Sequence, residues 1–508
     1  MKIKPQFRGS IILMHDGGGE RSATIAALPV LIDALRAHGY TIVPVCELMG
    51  KTTAEVMPRV TFFQYLRALP DSIAFSSLAF VAKFIVMVFF VGDILMSARL
   101  LIVGLFAVID RLRKPHRQAS PGYNPRVAVL IPAYNEETVI VRTIRSVLNS
   151  DYKNLHVIVV DDGSLDRTFD VARDAYAAEI AAGRVQVLSH PNGGKASALN
   201  FALERITEKI YVGIDADTVI AADAISKLIP HFEDPRIGAM AGNAKVGNRV
   251  NLWTRWQALE YITSQNFERR ALDLFHVVTV VPGAIGAWRT APVKAAGGYP
   301  LNTVAEDADL TMNLLEQRYH VDYEDRALAF TEAPVDVQGL MLQRFRWSFG
   351  ILQAVWKHRL AFIRNKAMGL FALPNILIFQ MLLPLVSPFI DLMFLAGVVN
   401  YFVDLHYHPE AASAASFEKL VAYFLTFLLI DFITSSAAFS LERRHPANKG
   451  DGWLLFHIWL QRFAYRQVFS IVLFKTLKRA IDGKPFNWEK IQRTARMSKA
   501  TDALTETP

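Results

Sequence analysis

Residues Tyr211–Ile220 read YVGIDADTVI, and the reading of this stretch decides the fold. Its first half is apolar and rich in strand-forming residues, while its second half carries two carboxylates, Asp215 and Asp217, one residue apart. Alternation along a strand sends residues i and i+2 to the same face. Two like charges held that close repel each other, and burial worsens the repulsion. A cation between them relieves it. The stretch therefore predicts a strand that delivers acids to a site.

Working outward, RVAVLI (126–131) and LHVIVV (155–160) repeat the pattern, each followed by turn residues and then a helical pattern; RVQVL and KIYVGI continue the theme. Strands alternating with helices imply βαβ units and a mostly parallel sheet. Ligands of such sheets bind beyond the carboxyl ends of the strands. The loops to read are PAYNEE (132–137), DDGSLDRT (161–168), HPNGGKASALN (190–200) and DADT (215–218). One solvated Asp after a strand is an ordinary turn residue or helix cap. Two acidic strand ends, Asp161–Asp162 and Asp215–Asp217, converging on one sheet edge are better explained by Mg²⁺ or Mn²⁺ shared with a phosphorylated ligand. Asp217 and Asp215 are the candidate metal ligands.

Three further stretches carry chemistry. In NGGK, Gly193 and Gly194 let the backbone approach a ligand and Lys195 can face a phosphate; the GxxxxGK[ST] spacing is absent, and a glycine turn with a surface lysine explains the stretch equally well. VAEDADL (304–310) puts Glu306 and Asp307 at a helix start, where acids also serve as caps. QRFRW (343–347) offers the planar guanidinium of Arg346 to a phosphate and the flat face of Trp347 to a sugar ring. The alternative for it is an interfacial helix with an aromatic belt.

The 508 residues are 52% hydrophobic, and the apolar residues concentrate in runs near 73–109, 370–402, 420–441 and 453–474. About 20 apolar residues suffice to cross a bilayer. The net charge is +8, with basic residues beside the runs: Arg111, Arg113, Lys114 and Arg117 after the first, and a basic tail at the end. That placement suits anionic membrane lipids and a cytoplasmic soluble domain. A nucleic-acid reading is weaker and no such partner is expected, since the soluble part has no basic helix with interleaved aromatics. The single cysteine, Cys46, rules out an intrachain disulfide and a Cys-based zinc site. The N-terminus does not read as a signal peptide, because His15 and Asp16 break its apolar piece. The expected division is 1–60, an N-terminal piece; 73–110, a membrane segment; 120–347, the α/β domain; 348–369, an interfacial amphipathic helix; 370–475, membrane segments; and 476–508, a basic cytoplasmic tail.

Taken in order, DDGS, DAD, the ED of AEDADL and QRFRW resemble the motifs of processive family-2 glycosyltransferases, the membrane synthases of cellulose, chitin, hyaluronan and poly-β-1,6-N-acetylglucosamine. The resemblance runs from about residue 126 onward. IPAYNEE and NGGKASALN are similar to its N-acetylglucosamine branch. It implies an α/β GT-A domain flanked by transmembrane helices in the plasma (inner) membrane, with a cytoplasmic catalytic domain, a UDP-sugar donor and a growing polysaccharide; an auxiliary export subunit is compatible with it. By resemblance, Tyr134, Glu136 and Asp161 hold the nucleoside, with Asp162 beside them in the donor site. Lys195 lies near the phosphates, Asp215 contacts the nucleotide and Asp217 the metal. Asp307 is the general base with Glu306 beside it. Gln343 and Arg346 sit over the diphosphate and Trp347 under the acceptor sugar. Ala305 stands where relatives often have Thr. A single in-line displacement would invert the anomeric carbon.

SIILMHDGGG and the residues after it resemble the last segment of a polysaccharide deacetylase domain, without that domain's other metal motifs, and so read as a non-catalytic remnant. The run at 73–109 is expected to make one long tilted crossing, and that at 370–402 a kinked one. The run at 420–441 is expected to return. The run at 453–474, carrying Arg462 and Arg466, is expected to be re-entrant or to line a polymer channel. Two rivals remain beside polymer synthesis: one glycosyl transfer to a lipid carrier, and a non-catalytic membrane scaffold or transporter.

Overall fold

The structure is a computed structural model and describes residues 11–14, 22–113, 119–409, 412–442 and 451–483. His15, Asp16, Lys114, Arg117 and the tail beyond 483 lie outside the described residues. The apolar runs form one eight-stranded sheet: β1 (Val127–Ala133), β2 (Leu155–Asp161), β3 (Val185–Ser189), β4 (Ile210–Gly213), β5 (Val219–Ile220), β6 (Ile237–Val246), β7 (Gly286–Arg289) and β8 (His320–Thr331). Their order is β3-β2-β1-β4-β7-β6-β8-β5. The pairs β3/β2, β2/β1, β1/β4 and β6/β8 are parallel, whereas β4/β7, β7/β6 and β5/β8 are antiparallel. This is the mostly parallel sheet that the alternation of strands and helices predicts.

The helices include α1 (Ser22–Ala37), α2 (Phe62–Arg113), α3 (Ile140–Leu148), α4 (Lys195–Arg205), α5 (Leu252–Glu260), α6 (Phe267–Asp273), α7 (Glu306–Glu316), α8 (Val337–Lys357), α9 (Leu383–Tyr407), α10 (Ala414–Leu441), α11 (Ile458–Phe463) and α12 (Tyr465–Asp482). Because β1 is buried on both faces, it reads as a continuous apolar run. Its Ala128 and Leu130 join a core that includes Ala198 and Ala202 of α4. Val127, Val129 and Ile131 join the opposite core with Ile140 and Ile144 of α3. The sheet thus exposes only strand ends and loops, and that is where the acids lie.

One sequence expectation changes. β4 stops at Gly213, so Asp215 and Asp217 are not on one strand face. They sit in a turn closed by Thr218 N–H donating to the Asp215 carbonyl at 3.0 Å, after which β5 pairs antiparallel with β8. A turn, rather than pleat alternation, brings both acids to the same side.

The chain divides into two compact units. One comprises the described residues up to Ile94 together with Ile390–Thr426, and the other Leu95–Phe389 together with the described residues from Phe427 onward. In the first unit, Phe394 stacks on Phe424 and Tyr401 on Phe417. The sheet and the candidate site belong to the second. Among the described residues, three helical stretches are long and apolar enough to cross a membrane: Phe62–Arg113, Met368–Tyr407 and Ala414–Leu441. The run at 453–474 is not a single helix. It is a 3₁₀ turn (Asp451–His457), then α11, then α12, interrupted at Ala464.

Candidate active site

Each parallel strand end delivers one loop to a common edge. Beyond β1, Asn135 adopts a left-handed φ of 53°, tolerated by its short polar side chain. Asn135 N–H donates to Ser164 Oγ at 2.8 Å, and its side-chain oxygen accepts from Leu165 N–H at 2.6 Å. Glu136 N–H donates to Thr168 Oγ1 at 2.7 Å. The Tyr134–Glu136 loop and the DDGSLDRT loop are therefore one stitched unit. At its centre Asp161, the last residue of β2, is buried, and its Oδ1 has no hydrogen-bond partner. A buried acceptor left unpaired is costly unless a ligand donates to it.

Asp162 faces elsewhere. Its two carboxylate oxygens accept from Gly193 N–H at 3.0 Å and Gly194 N–H at 2.8 Å, with His190 Nδ1 3.2 Å away. It braces the NGGK loop at the start of α4. Gly194 has φ +85°, and a Cβ at Gly193 would meet Ser197 Oγ at 2.6 Å, so both glycines are needed there. The brace sets the position of Lys195, the first residue of α4.

Lys195 Nζ lies 2.6 Å from Asp215 Oδ1 and 3.3 Å from Glu306 Oε1. Burial works to lower its pKa, but Asp215, Glu306 and Asp307 together hold it above the usual lysine value. Asp217 is buried, and its Oδ1 accepts from Thr218 Oγ1 and Thr331 Oγ1, each at 3.2 Å. Asp307 is pushed up from 3.8 to about 6, first by burial and then by the neighbouring Glu306. Glu306 and Asp307 open α7, so the helix N-terminus faces the acids.

These groups line one cavity of about 440 Å³, within the size of ordinary small-molecule sites. Lys195, Asp215, Asp217, Glu306 and Asp307 form one wall, and Gln343, Arg346 and Trp347 of α8 stand in its lining. Tyr134, Glu136, Asp161 and Asp162 are not part of that lining; the first three belong to the stitched loop at the ends of β1 and β2. Among the described residues no three His, Cys, Asp or Glu side chains gather to hold a metal unaided. Asp217 and Asp215 fit a hard cation that completes its shell with phosphate and water oxygens.

Several site residues carry no motif in the sequence. Gly283 packs against Lys195 Nζ and Asp215, where any Cβ would collide with both. Arg344 is buried, bonded to Glu260 Oε2 at 2.6 Å, with its guanidinium 4.2 Å from the Trp347 ring centroid. It backs Trp347 from one side while Tyr261 packs beside the same ring. Its place within QRFRW was the available signal. Arg99 binds Glu268 at 2.6 Å at another part of the lining. Next to Glu268, the buried Arg269 also lines the cavity, and burial lowers its pKa.

Comparison with known proteins bears on this arrangement. The model of the glycosyltransferase-like family 2 matches residues 125–350. A poly-β-1,6-N-acetyl-D-glucosamine synthase of Staphylococcus epidermidis is 26% identical over 337 residues, 66% of this chain and 78% of the relative. The enzyme of that name from Staphylococcus aureus strain COL is 26% identical over 270 residues, 53% of this chain and 64% of the relative. A mannosyltransferase from Pyrobaculum calidifontis, solved with GDP-Man and Mn²⁺, aligns over 78% of this chain and 99% of its own at 19% identity and a TM-score of 0.49. Nothing about donor or metal follows from a likeness of that strength. The family match covers the stitched loop, the acid turn, α7 and QRFRW. This chain carries a family-2 glycosyltransferase domain, related to the poly-β-1,6-N-acetylglucosamine synthases, and is a glycosyltransferase.

Proposed function

We propose that the protein is a membrane-bound, inverting, processive glycosyltransferase that polymerises an N-acetylglucosamine-type sugar from a UDP-sugar into a β-linked polysaccharide and passes the product through the membrane. One observation carries the reading: Asp217, Asp307 and the Arg346–Trp347 pair line a single cavity. A transfer needs three things at one place: neutralisation of the leaving diphosphate, removal of a proton, and a platform for the acceptor.

Asp161 and the stitched loop hold the nucleoside, the orphan Oδ1 accepting an N–H of the base. Asp162 fixes Lys195 through the glycine loop. Arg346, with Gln343 beside it, faces the diphosphate, and Trp347 stacks beneath the acceptor sugar. Asp215 and Asp217 would hold Mg²⁺ or Mn²⁺, which would neutralise phosphate charge. Asp307 accepts the proton of the attacking hydroxyl. The new bond joins that oxygen to the anomeric carbon, while the bond from that carbon to the phosphate oxygen breaks and its electron pair leaves with UDP. One displacement inverts the carbon, so an α-linked donor yields a β-linked product.

The N-acetylated donor rests on the relatives, which are named as N-acetylglucosamine polymer synthases, and on the deacetylase-like start of the chain. A cytoplasmic catalytic domain places the site where nucleotide sugars are made. The broken helix over 453–474 stays on that side or lines the polymer path, leaving the basic tail in the cytoplasm. Incubation of the purified protein in lipid with radiolabelled UDP-N-acetylglucosamine, and separately UDP-glucose, tests the reading. Long polymer from the first is expected. A lipid-linked monosaccharide, faster polymerisation of glucose, or no product overturns it.

A further inference from the structure

At the far end of α8 from QRFRW, His358 is buried with each ring nitrogen facing a carboxylate of α7. Its Nε2 lies 2.8 Å from Asp309 Oδ1 and its Nδ1 2.8 Å from Glu316 Oε2. Neutral imidazole carries one N–H and one lone pair, so it can satisfy only one such acceptor. Two ionised acceptors at donor distance require the imidazolium. Asp309, itself buried, also accepts from Lys357 Nζ at 2.8 Å. The charged groups around the ring are therefore Asp309 and Glu316 on α7, with Lys357 next to it in sequence sharing Asp309. They sum to zero only while His358 is protonated.

Asp309 and Glu316 stand seven residues apart, two turns along one face of α7. One ring therefore grips that helix along two turns. The same helix opens with Glu306 and Asp307, and His358 caps the helix that carries Arg346 and Trp347. A clamp at this point sets both the rotation of α7 and its distance from α8.

We propose that His358 is a positioning residue for glycosyl transfer: its imidazolium, held between Asp309 and Glu316, fixes the base helix against the acceptor helix so that Asp307 and Trp347 keep their separation across the cavity. This rests on the reading of Asp307 as base and Trp347 as acceptor platform. His358 touches no reacting group and acts only through α7.

Burial works against the charge, but Asp309 and Glu316 outweigh it and raise the His358 pKa. The clamp is closed while His358 is protonated and opens as pH climbs through that raised value, which adds an alkaline limb to kcat.

The test compares wild type, His358→Gln, His358→Lys and, as reference, Asp307→Asn, using kcat against pH at saturating donor, UDP affinity and donor KM. The Gln variant should lose roughly tenfold to a hundredfold in kcat, the scale of a displacement near 1 Å, with UDP affinity and donor KM within about twofold of wild type. The Lys variant, cationic to about pH 10, should recover most of kcat and move the alkaline limb upward. Wild-type kcat in the Gln variant, an alkaline limb unmoved in the Lys variant, or parallel loss of UDP binding and kcat overturns the proposal; the last outcome would make His358 a general support of the fold. Full turnover in Asp307→Asn removes the reading beneath it, whereas an inactive Asp307→Asn beside a fully active His358→Gln overturns this proposal alone.

Discussion

Replacing Glu306 by Gln and Lys195 by Met should move the acid limb of the kcat–pH profile in opposite directions. Asp307 must be ionised to accept a proton, and its pKa stands at about 6 rather than 3.8. Activity should therefore rise with pH through about 6. Burial is the larger cause of the elevation and Glu306 the next, while Lys195 acts to lower it. Removing Glu306 deletes a like charge and takes away one of the two carboxylates that Lys195 pairs with, Asp215 remaining. Both changes favour the ionised base. A shift of roughly 0.7 units downward would raise the ionised fraction at pH 5 about fourfold. Removing Lys195 deletes the cation, so the limb should move upward by a comparable amount. The measurement is kcat at saturating donor, from radiolabelled polymer, between pH 4.5 and 8, normalised to each variant's plateau. Normalisation separates the limb from any loss of amplitude in donor handling. A limb unmoved in both variants, or moving the same way in both, would refute Asp307 as the titrating base.

Four further outcomes are expected. Asp217→Asn and excess chelator should each abolish transfer, and turnover that survives chelation would remove the divalent cation from the mechanism. Trp347→Ala should weaken acceptor use by roughly fivefold, with Trp347→Phe intermediate, as stacking worth about 1 kcal/mol would give; equal acceptor kinetics in all three would count against the platform. Gly283→Ala should cut kcat by displacing the Lys195–Asp215 pair that its Cβ would strike, and normal kinetics would show that the pair yields freely. Arg344→Gln removes the buried cation that pairs with the part-exposed Glu260 and should lower the unfolding midpoint in detergent; an unchanged midpoint would mean that the pair adds no stability.

The sheet was legible because buried parallel strands leave unmistakable apolar runs, and their loops announced themselves through paired acids. YVGIDADTVI was read as a strand ending in two acids, and strand alternation was the wrong reason for their sharing a side, because β4 stops at Gly213. Composition does not reveal where a strand gives way to a turn, and the Thr218–Asp215 hydrogen bond that makes the turn is a three-dimensional fact. Asp162 shows the same limit. Its motif associates it with the donor, whereas its oxygens are both spent on backbone N–H groups from another loop. Gly283, Glu260 and His358 have no motif, periodic or spacing signal, and Arg344 only its place within QRFRW, because each acts through a neighbour that is distant in sequence. Arg344 meets Glu260 across 84 residues, and His358 meets Asp309 across 49.

The run at 453–474 shows how packing overrides an apolar composition. By hydropathy it resembles a crossing, yet it contains Arg462 and Arg466, which are expensive in hydrocarbon unless partnered. Arg466 binds Asp431 of α10 at 2.7 Å. Arg462 is buried with its guanidinium 4.4 Å from the ring centroid of Phe427. The break at Ala464 lies between these two arginines and starts α12 afresh at Tyr465. From there Tyr465 reaches Glu260, the partner of Arg344, and joins Trp256 and Leu340 in one apolar cluster. A straight helix through 453–474 would not meet all of these partners. Leu454, Ile458, Tyr465, Val472 and Leu473 of the run are buried, whereas Phe456, Trp459, Leu460 and Phe463 stay exposed. The same break ties the end of the chain to the helix that carries Arg346 and Trp347. Movement of α12 would therefore be felt through Glu260 and Arg344 at the face of Trp347 on which the acceptor sugar is proposed to rest.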